Sequence, residues 1–353
     1  MHRVQTALKW FSTQVTKLEK TKAGKYLARL PTMYVAAGAV AVLLLLWVAI
    51  FINSFSCKGP LEQQKMLTIE PGMGAIAIAA RLQKEGVLGE SAFTALRFRT
   101  AAMLSGVTNE LKSGTYTFPA EVSIEEVLTQ LSQGKVTYFY VTIPEGFTAK
   151  EITNRLKATA QLKQEPFTIE EGSVLPETYA YEVGESTTAV VARMRAAMDK
   201  VVEEAWQSRD ANLPIKNKEE LVILASMVEK ETSLPEEYGE VAGVFTNRLK
   251  KGMKLQSDPT VIYGASNYSG NIQRKHLKED HPYNTYVHRG LPKGPIANPG
   301  KGAVWAAAHP NVSDKFYFVA TGYGGHVFAK THAEHQKNVK EYLKTYRKLS
   351  KNK

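Results

Sequence analysis

Glu220–Leu249 reads ELVILASMVEKETSLPEEYGEVAGVFTNRL, and its first half decides the fold. Leu221, Leu224, Ala225 and Val228 recur at helical spacing, while Val222, Ile223 and Met227 make the segment apolar almost all round. A helix with no polar face belongs in the middle of a domain. At about 100° per residue, Glu231 falls beside Leu224 on the buried side, Glu229 beside Val222 and Ala225, and Lys230 nearly opposite. Ser233, Pro235 and Glu236 are expected to open the following helix, with Ser233 as its cap and Pro235 in its first turn.

Two carboxylates at the end of a core helix need a physical reason, because desolvating an unpaired glutamate is expensive. For Glu229 the plain reading is an ion pair, with Arg248 as partner. Glu231 invites a chemical one. Apolar surroundings raise a carboxyl pKa, which is what a general acid working near neutral pH requires.

Downstream, Leu255–Gly264 (LQSDPTVIYG) places amide, carboxylate and phenol groups together, and the residue before a proline avoids helix, so an extended segment is expected. His281–Tyr286, Gly290–Ile296 and Asn298–Gly300 add aromatic and amide side chains on loops shaped by glycine and proline. Such loops suit sugars, since aromatic rings stack on pyranose faces and amides bond hydroxyls, although ordinary loop chemistry accounts for the composition equally well. The histidines show no H-E-x-x-H spacing and the lone cysteine rules out CxxC, so no metal site is expected. His332 and His335 read as surface residues. No glycine-rich phosphate loop and no G-x-S-x-G elbow occurs, and no cofactor is expected.

Working outward to the N-terminus, no charge interrupts the chain between Arg29 and Lys58, and Met33–Ile52 reads MYVAAGAVAVLLLLWVAIFI. A helix of this length is about 30 Å long, the thickness of a bilayer's hydrocarbon core. A cleaved signal peptide has a shorter apolar stretch nearer the start. Arg3, Lys9, Lys17, Lys20, Lys22, Lys25 and Arg29 precede the span against Glu19 alone, which places the N-terminus in the cytoplasm and everything from about residue 57 outside. That tail carries about half of the net charge of +11, so the charge argues against nucleic acid as a partner. Cys57 is the single cysteine and excludes an intrachain disulfide. Ser54-Phe55-Ser56 before it matches lipoprotein processing poorly.

Between the span and the core helix, strands are expected at Leu67–Ile69, Ser113–Phe118 and Tyr138–Ile143. Helices are expected at Ile76–Lys84, Ala92–Leu104, Ile124–Leu131 behind a Ser123/Glu126 capping box, Thr148–Leu156 and Thr188–Gln207. The recurring order of strand, glycine turn and helix hints at duplicated small α/β units. A last helix, Glu334–Leu349, carries a solvated basic face.

Several of these segments together resemble the YceG-like (MltG) endolytic murein transglycosylase family. The ordered motifs are Ala225–Thr232 (ASMVEKET), Val244–Leu249, Met253–Gly264, Tyr283–Tyr286, Gly290–Pro292, Ala306–Pro310, Tyr317–Ala320, Gly325–Phe328 and Glu334-His335. Glu171-Gly172, Pro176–Tyr179 and Ser113–Tyr116 extend the likeness back over about residues 66 to 345. Lys293 and Gln336 depart from the family's usual proline and asparagine. The resemblance implies an α+β protein: a cytoplasmic tail (1–32), a single transmembrane helix (33–54), a LysM-like α/β module (66–142), and an α+β catalytic domain with lysozyme-like elements (143–349). It implies Glu231 as the single acid/base, and Glu229, Gln256, Asp258, Tyr263, Asn284 and Tyr286 are the expected substrate groove. The expected partners are peptidoglycan glycan strands, the membrane bilayer and peptidoglycan synthases. Two rival readings fit the same residues: a lysozyme-type hydrolase with Asp258 as second carboxylate, and a non-catalytic glycan-binding scaffold.

Overall fold

Thr32–Asn53 forms one unbroken helix, α1, whose side chains from Ala36 to Ile50 are exposed. It is long and apolar enough to cross a membrane, and its exposure sets aside the alternative of a buried core helix. The chain is seen here in a computed structural model that describes Thr13, Lys17 and residues 32–265 and 270–351. Apart from Thr13, Lys17 and Thr32, the expected cytoplasmic tail lies outside these residues.

Beyond α1 the chain divides between Thr137 and Tyr138 into two compact units. The first contains β1 (Lys65–Ile69), α2 (Ala75–Lys84), α3 (Ala92–Leu104), β2 (Gly114–Phe118) and α4 (Ile124–Gln133). β1 and β2 pair antiparallel with Leu67 opposite Tyr116, and Ile69, Ile78, Leu82, Phe98, Phe118 and Leu131 fill the core between sheet and helices. The capping box read from Ser123 and Glu126 is formed at the start of α4.

The second unit opens with β3 (Phe139–Thr142), α5 (Ala149–Lys157), β4 (Thr178–Tyr181) and α6 (Thr187–Ser208). β3 pairs antiparallel with β4, which makes it a strand of the second unit. The local solutions of the first unit recur here. Thr68 and Thr115 share a hydroxyl hydrogen bond across β1–β2 at 2.8 Å, as Thr142 and Thr178 do across β3–β4 at 2.9 Å. Tyr116 donates to the carbonyl of Lys112 and Tyr179 to that of Leu175, each four residues back. A second capping box, Thr148 with Glu151, starts α5.

The rest of the second unit is built around α7 (Lys218–Glu231), which packs against α6, α8 (Tyr238–Lys250), α9 (Asp258–Gly264) and α10 (Lys301–Ala308). Leu221, Leu224, Ala225, Met227 and Val228 are all buried, as a helix without a polar face demands. Toward the C-terminus lies the hairpin of β5 (Tyr317–Ala320) and β6 (His326–Ala329), and α11 (His332–Lys351) packs on both strands. Two local expectations are corrected. Ser233 is exposed and caps nothing; a 3-10 turn over Pro235–Glu237 precedes α8, with Leu234 at its cap position. The expected extended run 255–264 becomes helical at Asp258, because Pro259 sits in a first turn where its missing N–H would have had no partner.

Gly172, beside the α7 residue Val222, has φ +75°, and an added Cβ would lie 2.8 Å from Pro295 Cγ and Val222 Cγ1. Gly184 has φ +80° with open space around it. Gly184→Ala is expected to cost about 1–2 kcal/mol for the left-handed backbone alone. Gly172→Ala should add roughly 1–3 kcal/mol of overpacking. Denaturant unfolding of the two variants measures the difference.

Candidate active site

The end of α7 forms the floor of a cleft of about 430 Å³. Its walls come from Arg248 of α8, the Leu255–Asp258 segment, Tyr286, the β5 residues Tyr317, Phe318 and Val319, and His332, His335 and Val339 of α11. Glu231 is enclosed by protein on most sides while part of it stays open to the cleft.

Its one hydrogen bond among the described residues comes from Ser257, whose Oγ donates to Glu231 Oε1 at 2.5 Å. Ser257 is itself buried and held on three sides. Its N–H donates to Thr285 Oγ1 (3.0 Å), the hydroxyls of Thr285 and Thr260 lie 2.9 Å apart, and Thr260 donates to the Ser257 carbonyl (2.7 Å). Gln256, just before it, takes a left-handed φ of +52°, a conformation that non-glycine residues adopt rarely and that turns the chain into the cleft. Burial lifts the Glu231 carboxyl to about 7, with Asp258 adding to the rise; the Ser257 hydroxyl and the Arg248 guanidinium pull the other way without cancelling it. Glu231 is thus a carboxylic acid that both holds and releases a proton near neutrality.

Arg248 is buried behind the cleft wall. Its Nε donates to the Phe316 carbonyl at 2.6 Å and a terminal nitrogen to that of Leu255 at 2.8 Å, while the guanidinium lies 5.2 Å from the centre of the Tyr317 ring. The residue after Glu231 is also fixed. Thr232 donates to Glu237 Oε2 (2.8 Å), and Glu237 accepts from the His326 backbone N–H (2.6 Å) and pairs with its Nδ1 (2.7 Å). Burial would raise the Glu237 carboxyl, but the bonds from His326 and Thr232 outweigh it and hold it below its usual range. The β5–β6 hairpin is thereby tied to the end of α7.

Of the residues expected in a groove, Gln256, Asp258 and Tyr286 line this cleft with Glu231, and Tyr286 donates to Asp258 Oδ1 at 2.7 Å. Glu229, Tyr263 and Asn284 are not brought there. Glu229 accepts from the Gly300 N–H (2.9 Å) at the start of α10 and from the Tyr238 hydroxyl (3.1 Å); the ion pair with Arg248 does not form, because the two leave α7 and α8 toward different surroundings. Tyr263 donates to Glu171 Oε2 (3.1 Å) and packs on Tyr283, while Glu171 Oε1 accepts from Ala149 N–H and Asn298 Nδ2. Asn284 is fully buried and shapes its own loop through the carbonyls of His276 and Glu279 and the N–H of Tyr286.

Five residues of the site escape a reading of the sequence. Ser257 stands between Gln256 and Asp258, both expected in the groove, and its hydroxyl is the signal. Arg248 serves Glu231 rather than the Glu229 that spacing suggests. Tyr317 comes from a strand that adjoins α7 only in space. His332, exposed as expected, and His335, half-buried instead, both line the cleft; their i, i+3 spacing on one helix face is the available sign. Burial, together with Arg248 and His332, holds the His335 imidazole below its usual pKa.

Residues 67–341 match the sequence model of the YceG-like family. An endolytic murein transglycosylase of Bacillus subtilis (strain 168) is 30% identical over 334 residues, covering 83% of this chain and 90% of the relative. An endolytic murein transglycosylase of Streptococcus pneumoniae serotype 2 (strain D39) is 27% identical over 78% of this chain, which spans 58% of that longer relative. A solved structure of a YceG-like protein from Listeria monocytogenes aligns with a TM-score of 0.49 at 26% identity, over 78% of this chain and 98% of that one.

Two measurements probe the site without reference to any substrate. An unfolded glutamate titrates near its ordinary value of 4.5, whereas folded Glu231 keeps its proton to about 7, so the folded state binds more protons in that window and loses stability as pH rises through it. Glu231→Gln should therefore be more stable than the parent at pH 8, by at most about 3 kcal/mol at 1.36 kcal/mol per unit, and the gap should close toward pH 4. Ser257→Ala should move the Glu231 carboxyl titration, followed by carbon-13 NMR, further upward; Ser257→Thr, which keeps the hydroxyl, should leave it near the parent position.

Proposed function

The chain belongs to the YceG-like family, and on that premise we propose that it is a peptidoglycan lytic transglycosylase with Glu231 as its single acid/base. The observation that carries the reading is the neutral-range carboxyl of Glu231 at the floor of an open cleft. Glu231 protonates the β-1,4 oxygen that leaves N-acetylmuramic acid, and the sugar develops oxocarbenium character. The C6 hydroxyl of the same sugar closes on C1 and returns its proton to Glu231, leaving a 1,6-anhydro end and a re-protonated acid. With Oε1 engaged by Ser257, Oε2 is the oxygen that carries the proton. An intramolecular nucleophile makes a second carboxylate and a positioned water unnecessary.

The rest of the architecture fits this role. α1 anchors the protein in the cytoplasmic membrane as a single span, N-terminus inside and both units outside, as the basic residues before it direct. Tethering beside the membrane favours strands just emerging from synthesis, so that cleavage ends their elongation and peptidoglycan synthases are the natural neighbours. The strand–helix–helix–strand order of the first unit supports a LysM-like glycan-holding module, and a glutamate ending a buried helix is the lysozyme-like element of the second.

One observation favours a second reading: Asp258 is exposed in the same cleft, where a hydrolase would place its second carboxylate. Digestion of uncrosslinked glycan by the full chain, with mass spectrometry of the new termini, separates the two. Anhydro ends are expected, Glu231→Gln should slow their formation by a factor of about 10²–10⁴, and Asp258→Asn should still give them. Reducing ends that vanish in Asp258→Asn would establish the hydrolase instead, and undiminished cleavage by Glu231→Gln would remove the role given to that residue.

A further inference from the structure

Helix α3 is apolar on two faces. Phe98 and Ala102 are fully buried in the first unit, but Phe93, Leu96, Met103 and Leu104 on the other face are 53%, 51%, 67% and 60% exposed. Ile76 of α2, 64% exposed, lies across a shallow groove from Leu96 and Met103. Positions 93, 96, 103 and 104 fall within a stripe roughly 100° wide on a helix. Thr100 is the one polar side chain within it, and soluble surfaces seldom leave so extended an apolar stripe open without a use for it.

The same helix is fastened to the end of α1. Phe93 packs edge-on against Phe51 with ring centres 5.9 Å apart, and the Arg97 guanidinium donates to the Ser54 carbonyl. Phe55, just past α1, is buried in the core that holds Phe98, and Leu104 lines one pocket with Ile52 and Asn53. The connector is pinned as well: Gly59 N–H donates to the Glu121 carbonyl at 3.0 Å and Glu121 N–H to that of Leu61 at 2.7 Å. Phe51 is two residues from the end of α1, roughly 3 Å at the rise of a helix. Both ends of α3 therefore stand at the level where α1 ends.

We infer that the open face of α3, together with Ile76, is a membrane-seating surface that lies in the interfacial layer of the bilayer crossed by α1. The inference rests on α1 being a membrane span. An apolar helix face settles about 5–10 Å into the boundary between headgroups and acyl chains. Lipid is the occupant because the stripe runs on from Phe51 of the span itself; a soluble partner would have to displace lipid from beside that ring. Seated in this way, the first unit is held against the membrane instead of swinging on a tether.

The test uses the full chain with Cys57→Ser, reconstituted in nanodiscs of phosphatidylcholine and phosphatidylglycerol. A fluorophore is attached after Leu45→Cys, Leu96→Cys or Met103→Cys, and quenching by a shallow nitroxide-labelled lipid is compared with quenching by iodide in the water. The probes at 96 and 103 should be quenched at least roughly threefold more by the lipid than by iodide. Iodide-accessible probes at 96 and 103 with a lipid-quenched probe at 45 would overturn the seating surface and leave the anchor standing. Probes at 96 and 103 shielded from both quenchers would mean that a second copy covers the stripe, which also overturns it. An iodide-accessible probe at 45 would remove the span, and the seating surface with it.

Discussion

The site depends on a carboxyl group enclosed at the end of an apolar helix, with one oxygen bonded to a buried serine. Taking Glu231 out of water penalises its anion, and each unit of the resulting pKa rise corresponds to about 1.36 kcal/mol of preference for the acid. α7 accepts that penalty because three of its neighbours are arranged around it. α8 supplies Arg248, which moderates the shift, while Ser257 at the start of α9 and Thr285 form the hydroxyl chain that orients the acid. Had any of these been a full ion pair, Glu231 would be a permanent carboxylate and useless as an acid.

Other half-buried carboxylates of the second unit show what different partners do to the same group. Glu171 bonds a backbone amide, an asparagine and a tyrosine; Glu229 bonds a backbone amide and a tyrosine; Glu237 pairs with a histidine and a threonine. Each has both oxygens bonded, at least one donor coming from a distant part of the chain, and acts as a clasp. Burial raises Glu171 and Glu229, while the His326 and Thr232 donors lower Glu237. Only Glu231 combines a raised pKa with an oxygen left unbonded among the described residues and an opening to a cleft. What sets Glu231 apart among the described residues is the lack of a second donor.

In the first unit the constraint is geometric rather than electrostatic. Phe55 enters the core immediately after α1, and the connector is hydrogen-bonded to the Glu121 turn instead of running free. The orientation of α3 relative to α1 is therefore built into the fold, and the apolar side chains that α3 turns outward are placed with equal definition.

The sequence by itself determined most of the elements and their local chemistry, the Ser233 cap and the helix at Asp258–Gly264 being the exceptions. Period-3.6 apolar spacing marks α7 as central, unbroken apolarity marks α1, and the Ser123–Glu126 pair marks a helix start, since these depend on neighbours within a few residues. The same spacing turns Glu231 inward, which is why its burial is legible from the chain alone. Tertiary structure decided which groups meet. Ser257 and Arg248 act on Glu231 from two other segments while Tyr317 and His335 line the same cleft from two more, and Glu229, Tyr263 and Asn284 are drawn away to clasp loops, because hydrogen-bond satisfaction of buried polar groups is settled by packing between elements. No local pattern states which of two glutamates, two residues apart on one helix, will find its donors and which will keep a free oxygen.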